Sequence, residues 1–182
     1  MVNRILTSEI FESSKSVLLL GPRQCGKSTL IHSLNPDLSI DLADEMEYLT
    51  HSTNPMEIKN LLEQNSPTTV FVDEIQRLPK MLNTIQSVLD KQKSLKFYLT
   101  GSSARKLKRG QANLLPGRIF SYQLGPFVSA EFEYDMSTKK CLEVGSLPEA
   151  YLSKSKNNTE KLLRTYSAVY LKEEIKAEAL TR

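Results

Sequence analysis

Residues 21 to 28 read Gly21-Pro22-Arg23-Gln24-Cys25-Gly26-Lys27-Ser28, which is a glycine, four variable residues and then Gly-Lys-Ser. This spacing is typical of a phosphate-binding loop. The two glycines let the backbone turn tightly and approach a phosphate, where a Cβ would clash. Backbone N–H groups then cradle the α- and β-phosphates, while Lys27 reaches the β- and γ-phosphates. The hydroxyl of Ser28 is the predicted ligand for Mg²⁺.

The segments on either side of this loop have the order that such a loop requires. Val17–Leu20 is a short apolar run, as expected of a buried parallel strand. Residues 27–34 carry apolar side chains at helical spacing, and Asn35-Pro36 ends that helix because a residue before proline disfavours the α conformation. The alternative is a plain βα turn without a ligand. The predicted nucleotide-binding residues are Gly21, Pro22, Arg23, Gln24, Cys25, Gly26, Lys27, Ser28 and Thr29.

The overall composition is that of an ordinary globular protein. The 182 residues are 40% hydrophobic and 25% charged, and the net charge of +3 is too small to indicate nucleic-acid binding by itself. The two cysteines, Cys25 and Cys141, lie far apart in sequence, so we expect no disulfide framework. No signal-peptide pattern and no membrane-length apolar run is present. We therefore predict a cytoplasmic protein without a membrane partner.

Apolar runs alternate with amphipathic stretches between residues 17 and 124. The predicted strands are Val17–Leu20, Ser39–Leu42, Thr68–Val72, Lys96–Thr100 and Arg118–Leu124. The predicted helices are Lys27–Leu34, Pro55–Glu63, Pro79–Asp90 and Ala104–Leu114. Repeated βα units imply an α/β fold, with a mostly parallel sheet and helices on both of its faces. Ligands of such sheets bind at the carboxyl ends of the strands.

The chain after Leu124 has a different pattern. Turn signals in residues 125–132 and 145–149 each precede a short helical piece, and Ser153–Thr159 reads as a polar loop. The last stretch, Glu160–Leu180, has strong helical periodicity. We predict an ATP-binding core over residues 1–135 and a C-terminal helical segment over residues 136–182 that leads into a further domain.

A second motif follows the predicted third strand. Val70-Phe71-Val72 is apolar, and Asp73-Glu74 comes directly after it. Asp73 can hold the Mg²⁺ that Ser28 also approaches, and Glu74 can polarise a water for attack on the γ-phosphate. Two solvated loop acids are the alternative for this pair.

Polar residues also follow the fourth strand and precede the fifth. Thr100 and Ser102 are candidates for a hydrogen bond to the γ-phosphate or the attacking water, although Ser102 or Ser103 can instead cap a helix. Arg118 is always charged and can act as an arginine finger if it faces a neighbouring subunit. An ordinary surface salt bridge is an equal alternative for Arg118. The basic cluster Arg105–Arg109 is read first as a solvated helix face and second as a phosphate or nucleic-acid contact.

Together these motifs resemble the AAA-like ATPases of bacteria and archaea whose ATPase domain is often followed by a C-terminal domain of unknown function. Besides the phosphate loop, the matching blocks are Asp73-Glu74-Ile75-Gln76-Arg77-Leu78-Pro79, Leu99-Thr100-Gly101-Ser102-Ser103-Ala104-Arg105, Leu115-Pro116-Gly117-Arg118 and Gly145-Ser146-Leu147-Pro148-Glu149. The tyrosine-bearing helix from Tyr166 to Glu174 extends the match to nearly the whole chain. Cys25 stands where the family often has valine, a change that a loop acting through its backbone should tolerate.

The resemblance implies an AAA+-like P-loop fold with the strand order 5-1-4-3-2, and ATP with Mg²⁺ as the ligands. It implies Lys27 on the phosphates, Asp73 on the metal, Glu74 as the water-activating acid and Arg118 as the finger. We expect ATP hydrolysis that drives a conformational change. The open alternatives are a nucleotide-gated interaction module with little turnover and a DNA-associated ATPase. A homo-oligomer and a protein or nucleic-acid partner stay open as well.

Overall fold

The computed structural model describes residues 2–102, 107 and 115–171. The chain divides into two compact units. The sheet unit comprises Leu6–Pro22 and Lys27–Leu124, and the helical unit comprises Met1–Ile5, Arg23–Gly26 and Gly125–Arg182. Except for the buried Leu107, the predicted helix Ala104–Leu114 and its basic cluster lie outside the described residues, as does the predicted helix beyond residue 171.

The sheet unit is built on five parallel strands. They are β1 (Ser16–Leu20), β2 (Leu38–Asp41), β3 (Thr69–Asp73), β4 (Lys96–Gly101) and β5 (Ile119–Gln123). Their order across the sheet is β2-β3-β4-β1-β5. This confirms the predicted α/β fold and the predicted order 5-1-4-3-2, and each predicted strand overlaps the observed one.

The described helices of the sheet unit precede β1 or lie in the connections between strands. They are α1 (Thr7–Phe11), α2 (Lys27–His32), α3 (Glu45–Thr53), α4 (Glu57–Asn65) and α5 (Met81–Lys91), with a 3-10 turn at Ile75–Arg77. The helices α2, α4 and α5 were predicted, whereas α1 and α3 were not. Asp44 caps the N-terminus of helix α3, because its side chain accepts hydrogen bonds from the Met46 and Glu47 N–H groups.

Helices cover both faces of the sheet, and the central strands are apolar for that reason. One face packs against α4 and α5, where Ile58, Leu82 and Ile85 are almost fully buried. On the other face, His32 of α2 makes an edge-on ring contact with Phe71 of β3, at 5.0 Å between centroids. Burial on both sides fixes the strands firmly, so the polar residues at their carboxyl ends have a rigid support.

The helical unit contains short helices joined by tight turns. Its elements are a 3-10 turn at Ser129–Phe132, α6 (Thr138–Val144), α7 (Pro148–Leu152), α8 (Lys156–Thr165) and a π-helix at Tyr166–Leu171. The predicted polar loop Ser153–Thr159 is therefore wrong in its second half. Ser155 accepts a hydrogen bond from the Asn158 N–H and caps α8, which starts four residues before the predicted helix.

An aromatic cluster forms the core of the helical unit. Phe127, Phe132 and Tyr151 meet edge-on, with centroid distances of 5.2 to 6.3 Å. The Arg23 guanidinium lies 5.1 Å from the centre of the Tyr170 ring, so a residue of the phosphate loop contacts the π-helix. Within the described part of the chain, no helix is long and apolar enough to cross a bilayer.

Candidate nucleotide-binding site

The sheet brings the predicted site residues of the sheet unit, except Arg118, to the carboxyl ends of its strands. Strand β4 lies between β1 and β3, with Leu20 paired to Gly101 and Val72 paired to Leu99. Adjacent strands are about 4.8 Å apart, so the carboxyl ends of β1 and β3 are separated by only about 10 Å. The residues that follow β1, β3 and β4 therefore share the edge at which ligands of parallel sheets bind.

The Lys27 side chain is the most unusual feature at this edge. Its ammonium donates hydrogen bonds to the Gly21 and Pro22 carbonyl oxygens, both at 2.9 Å, and the residue is only 5% exposed. Among the described residues, no carboxylate lies within ion-pair distance of Lys27 Nζ. A buried cation held by neutral carbonyls alone is costly, so this site favours an anion.

The rest of the loop has the backbone of a tight turn. Three of its residues have positive φ: Gly21 at 153°, Gln24 at 62° and Gly26 at 89°. Such angles suit glycine, and they turn successive peptide groups out of the extended or helical pattern. Cys25 is fully buried, whereas Ser28 is half-buried and Thr29 is exposed on the first turn of α2.

Asp73 and Thr100 meet at the ends of β3 and β4. The Thr100 hydroxyl donates to Asp73 Oδ1, and the Glu74 N–H donates to the same oxygen at 3.0 Å and to Thr100 Oγ1 at 3.2 Å. The second oxygen of Asp73, Oδ2, accepts no hydrogen bond from the described residues. Thr100 thus orients Asp73 and leaves one carboxylate oxygen for a ligand.

Glu74 has a left-handed backbone, with φ 54° and ψ 42°, which is uncommon for a residue other than glycine, asparagine or aspartate. Its carboxylate Oε2 accepts a hydrogen bond from Gln76 Nε2. The Gln76 Oε1 in turn accepts from the Ser102 N–H at 3.3 Å. Gln76 therefore links the predicted water-activating acid to the end of β4. Sequence reasoning assigned Gln76 no role, although an amide two residues after Glu74 was a usable signal.

Ser102 is 7% exposed, and its Oγ has no hydrogen-bond partner within the described residues. A buried hydroxyl usually has a hydrogen-bond partner. Because Ser102 Oγ has none among the described residues, it is a candidate to bind a ligand at the carboxyl ends of the strands. The buried ammonium, the free Asp73 oxygen and this hydroxyl together fit an anionic ligand with a hard cation. The observation favours the ligand-binding hypothesis for Ser102.

The structure places Arg118 away from these residues. Ser16, where β1 begins, pairs with Ile119, so Arg118 lies at the opposite edge of the sheet from Gly21. Five residues of strand span about 16 Å. Arg118 Nε donates to Asp90 Oδ1 at 2.6 Å, and this hydrogen bond lowers the pKa of the Asp90 carboxyl. Within one chain Arg118 does not join the site, and a role as a finger in trans stays a prediction.

The sequence profile described as "AAA domain" matches residues 13–133. No curated protein matches the chain. Among solved structures, a DNA replication initiation factor has 13% identity and a TM-score of 0.49, covering 94% of this chain and 62% of its own length. PCH-2 of C. elegans has 15% identity and a TM-score of 0.47, covering 76% of this chain and 43% of its own.

The profile match spans most of the chain and includes β1, the phosphate loop, Asp73, Glu74 and Thr100. The chain covers less than two thirds of the length of either solved structure. The AAA-like P-loop ATPase resemblance inferred from the motifs is confirmed by the profile match. The chain belongs to the AAA domain family.

Proposed function

We propose that this protein binds ATP with Mg²⁺ at the carboxyl edge of its sheet and hydrolyses it. One observation supports this above the others: the buried Lys27 ammonium has only the Gly21 and Pro22 carbonyls as partners in the described chain. A polyphosphate supplies the negative charge that this cation lacks, and a P-loop lysine acts on phosphates as a point charge.

The binding roles follow from what each residue offers. The loop residues Pro22, Arg23, Gln24 and Cys25 bind through their backbone, between the two glycines that permit the turn. Lys27 neutralises the β- and γ-phosphates, and Thr29 lies one residue beyond the metal-binding Ser28 on α2.

The oxygen atoms present fit a magnesium ion. The Ser28 hydroxyl and the free Oδ2 of Asp73 are hard ligands, and Mg²⁺ takes its remaining ligands from phosphate and water. Ser28 and Asp73 would hold the ion, whose positive charge would offset the negative charge on the transferred phosphoryl group. Thr100 fixes the Asp73 rotamer through its hydroxyl, so the carboxylate is preorganised for this role.

Hydrolysis depends on Glu74, whose carboxylate orients the attacking water and accepts its proton. Gln76 holds that carboxylate at one oxygen and leaves the other, Oε1, for the water. Thr100 Oγ1 also accepts a hydrogen bond from the Glu74 N–H. In its proposed role beside the γ-phosphate, Thr100 therefore couples hydrolysis to the turn that carries Glu74. Arg118 completes charge stabilisation only from a second copy of the chain, which makes full activity dependent on assembly.

A second candidate is a nucleotide-gated interaction module with little turnover. The observation that favours it is the Gln76–Glu74 hydrogen bond, because it occupies one of the two carboxylate oxygens that could otherwise orient the attacking water. In this case ATP binds and holds one conformation, and the two candidates differ only in phosphate release.

The experiment that separates them measures phosphate release and ATP affinity for the parent and for Glu74→Gln. We expect Mg²⁺-dependent turnover in the parent, and in Glu74→Gln a loss of at least about a hundredfold in turnover with ATP affinity retained. Glu63→Gln, at an exposed acid of α4, is the matched control and should behave as the parent does. Binding without any phosphate release, at every protein concentration, would establish the gated module instead.

A further inference from the structure

Arg4 is bonded in a way that nothing in the motif pattern indicates. Its guanidinium donates through Nη1 to the carbonyl of Cys25, and through Nη2 to the Gly125 carbonyl at 2.8 Å and the Pro126 carbonyl at 3.4 Å. Its Nε donates to Glu131 Oε1 at 2.7 Å. One side chain thus joins the phosphate loop to a segment about a hundred residues further along the chain.

The ion pair between Arg4 and Glu131 is buried. The side chain of Arg4 is 8% exposed and that of Glu131 is fully buried. Glu131 also accepts the Ile5 N–H at 3.0 Å and the Val128 N–H at 3.1 Å, so both of its oxygens are used. The guanidinium lies 5.1 Å from the centre of the Phe127 ring. A buried pair is stabilising only when its remaining donors and acceptors are satisfied, and here each guanidinium nitrogen and each carboxylate oxygen has at least one hydrogen-bond partner.

The contact with Cys25 has a consequence for the next residue. The peptide bond between Cys25 and Gly26 is trans and planar, so its C=O and N–H point in opposite directions. A donor that fixes the Cys25 carbonyl on the Arg4 side therefore fixes the Gly26 N–H on the other side. Gly26 has a φ of 89°, and a Cβ there would lie 3.4 Å from Arg4 Nη1, at van der Waals distance from the guanidinium.

We propose that Arg4 is a positioning residue for the phosphate loop: it holds the Cys25–Gly26 peptide in the orientation that presents the Gly26 N–H to a phosphate, and Glu131 anchors it there. This inference rests on the proposed function, since it assumes that the loop binds a nucleotide. Arg4 acts through the loop backbone and does not touch the ligand. Lysine cannot replace it, because one ammonium lacks the planar fork that reaches Glu131 and Cys25 together.

The test measures the dissociation constant for Mg²⁺-ATP and the melting temperature of the parent, Arg4→Lys and a surface control. The control is Arg164→Gln, which removes an exposed arginine of α8 that pairs with Glu160. We expect Arg4→Lys to weaken ATP binding by about tenfold or more, while Arg164→Gln leaves it unchanged. The double variant Arg4→Gln/Glu131→Gln removes both buried charges, so it avoids an unpaired one, and it should show the same loss.

A purely structural role predicts a different pattern. In that case Arg4→Lys and the double variant melt at lower temperatures, yet whichever of them is folded binds ATP as tightly as the parent, and this outcome overturns the proposal. If the parent and the control both fail to bind ATP, the proposed function is wrong, and the proposed role of Arg4 is then wrong as well. Tight binding by the parent combined with weak binding by the folded Arg4 variants supports both.

Discussion

The hydrogen bond between Gln76 and Glu74 allows the effect of Gly101→Ala on stability to be predicted. A Cβ at Gly101 would lie 2.9 Å from Gln76 Oε1 and 3.3 Å from Leu20 Cδ2. The first contact is shorter than real Cβ contacts, so in Gly101→Ala the flexible Gln76 amide must move away. It then loses its hydrogen bonds to the Glu74 carboxylate and the Ser102 N–H.

The size of the effect follows from these contacts. The charge-assisted bond to Glu74 is worth about 1.5 kcal/mol and the longer bond from the Ser102 N–H about 0.5 kcal/mol. Alanine in place of a strand glycine stabilises by roughly 0.5 to 1 kcal/mol, through the unfolded chain. Gly101→Ala should therefore lower the free energy of unfolding by about 1 to 1.5 kcal/mol.

The assay is a double-mutant cycle measured by urea unfolding. In a Gln76→Ala background the clash and both hydrogen bonds are absent, so Gly101→Ala should be neutral or slightly stabilising. The expected coupling between the two positions is about 1.5 to 2 kcal/mol. Additive effects within about 0.5 kcal/mol would refute the claim that Gln76 occupies this space and bonds to both partners.

Three further predictions concern other parts of the sheet unit. The pKa of Asp37 is lowered from 3.8 to about 2, first by the Thr68 hydroxyl and then by the Thr69 and Thr68 N–H groups. The ionised Asp37 carboxylate therefore stabilises the fold fully above pH 4, and this contribution is lost as the pH falls through 2. The difference in free energy of unfolding between the parent and Asp37→Asn should narrow over that range. Leu82→Ala, at a fully buried site, should cost about 2 to 5 kcal/mol in urea unfolding. Arg118→Ala should slow turnover with ATP affinity unchanged, and a parent rate per subunit that is constant with protein concentration would argue against action in trans.

The sequence predicted the sheet well because each central strand is buried on both faces. Runs such as Val17–Leu20 and Val70–Val72 are then continuously apolar and easy to recognise. Helix α3 was missed because its apolar side chains, among them Met46 and Leu49, are exposed, and only His51 is buried. Such a helix has no apolar stripe, and its one local signal was Asp44 at the N-terminus.

The site was predictable where one short motif carries several groups. Lys27 and Asp73 could be placed at one edge from motif order alone, because parallel strands bring their carboxyl ends together. The partners of Arg4 could not, since its ion pair with Glu131 joins residues 127 positions apart. Gln76 lay inside a recognised block, but its contact with Glu74 depends on the left-handed backbone of Glu74.

The most direct test of the account compares the binding of ATP, ADP and AMP by the parent and Lys27→Met, with Lys91→Met at an exposed lysine of α5 as the control. If the buried ammonium serves the β- and γ-phosphates, the parent and the control bind ATP most tightly and AMP most weakly. Lys27→Met should then lose at least about tenfold in ATP affinity and little in AMP affinity. Equal binding of ATP by Lys27→Met and the parent would contradict the central claim.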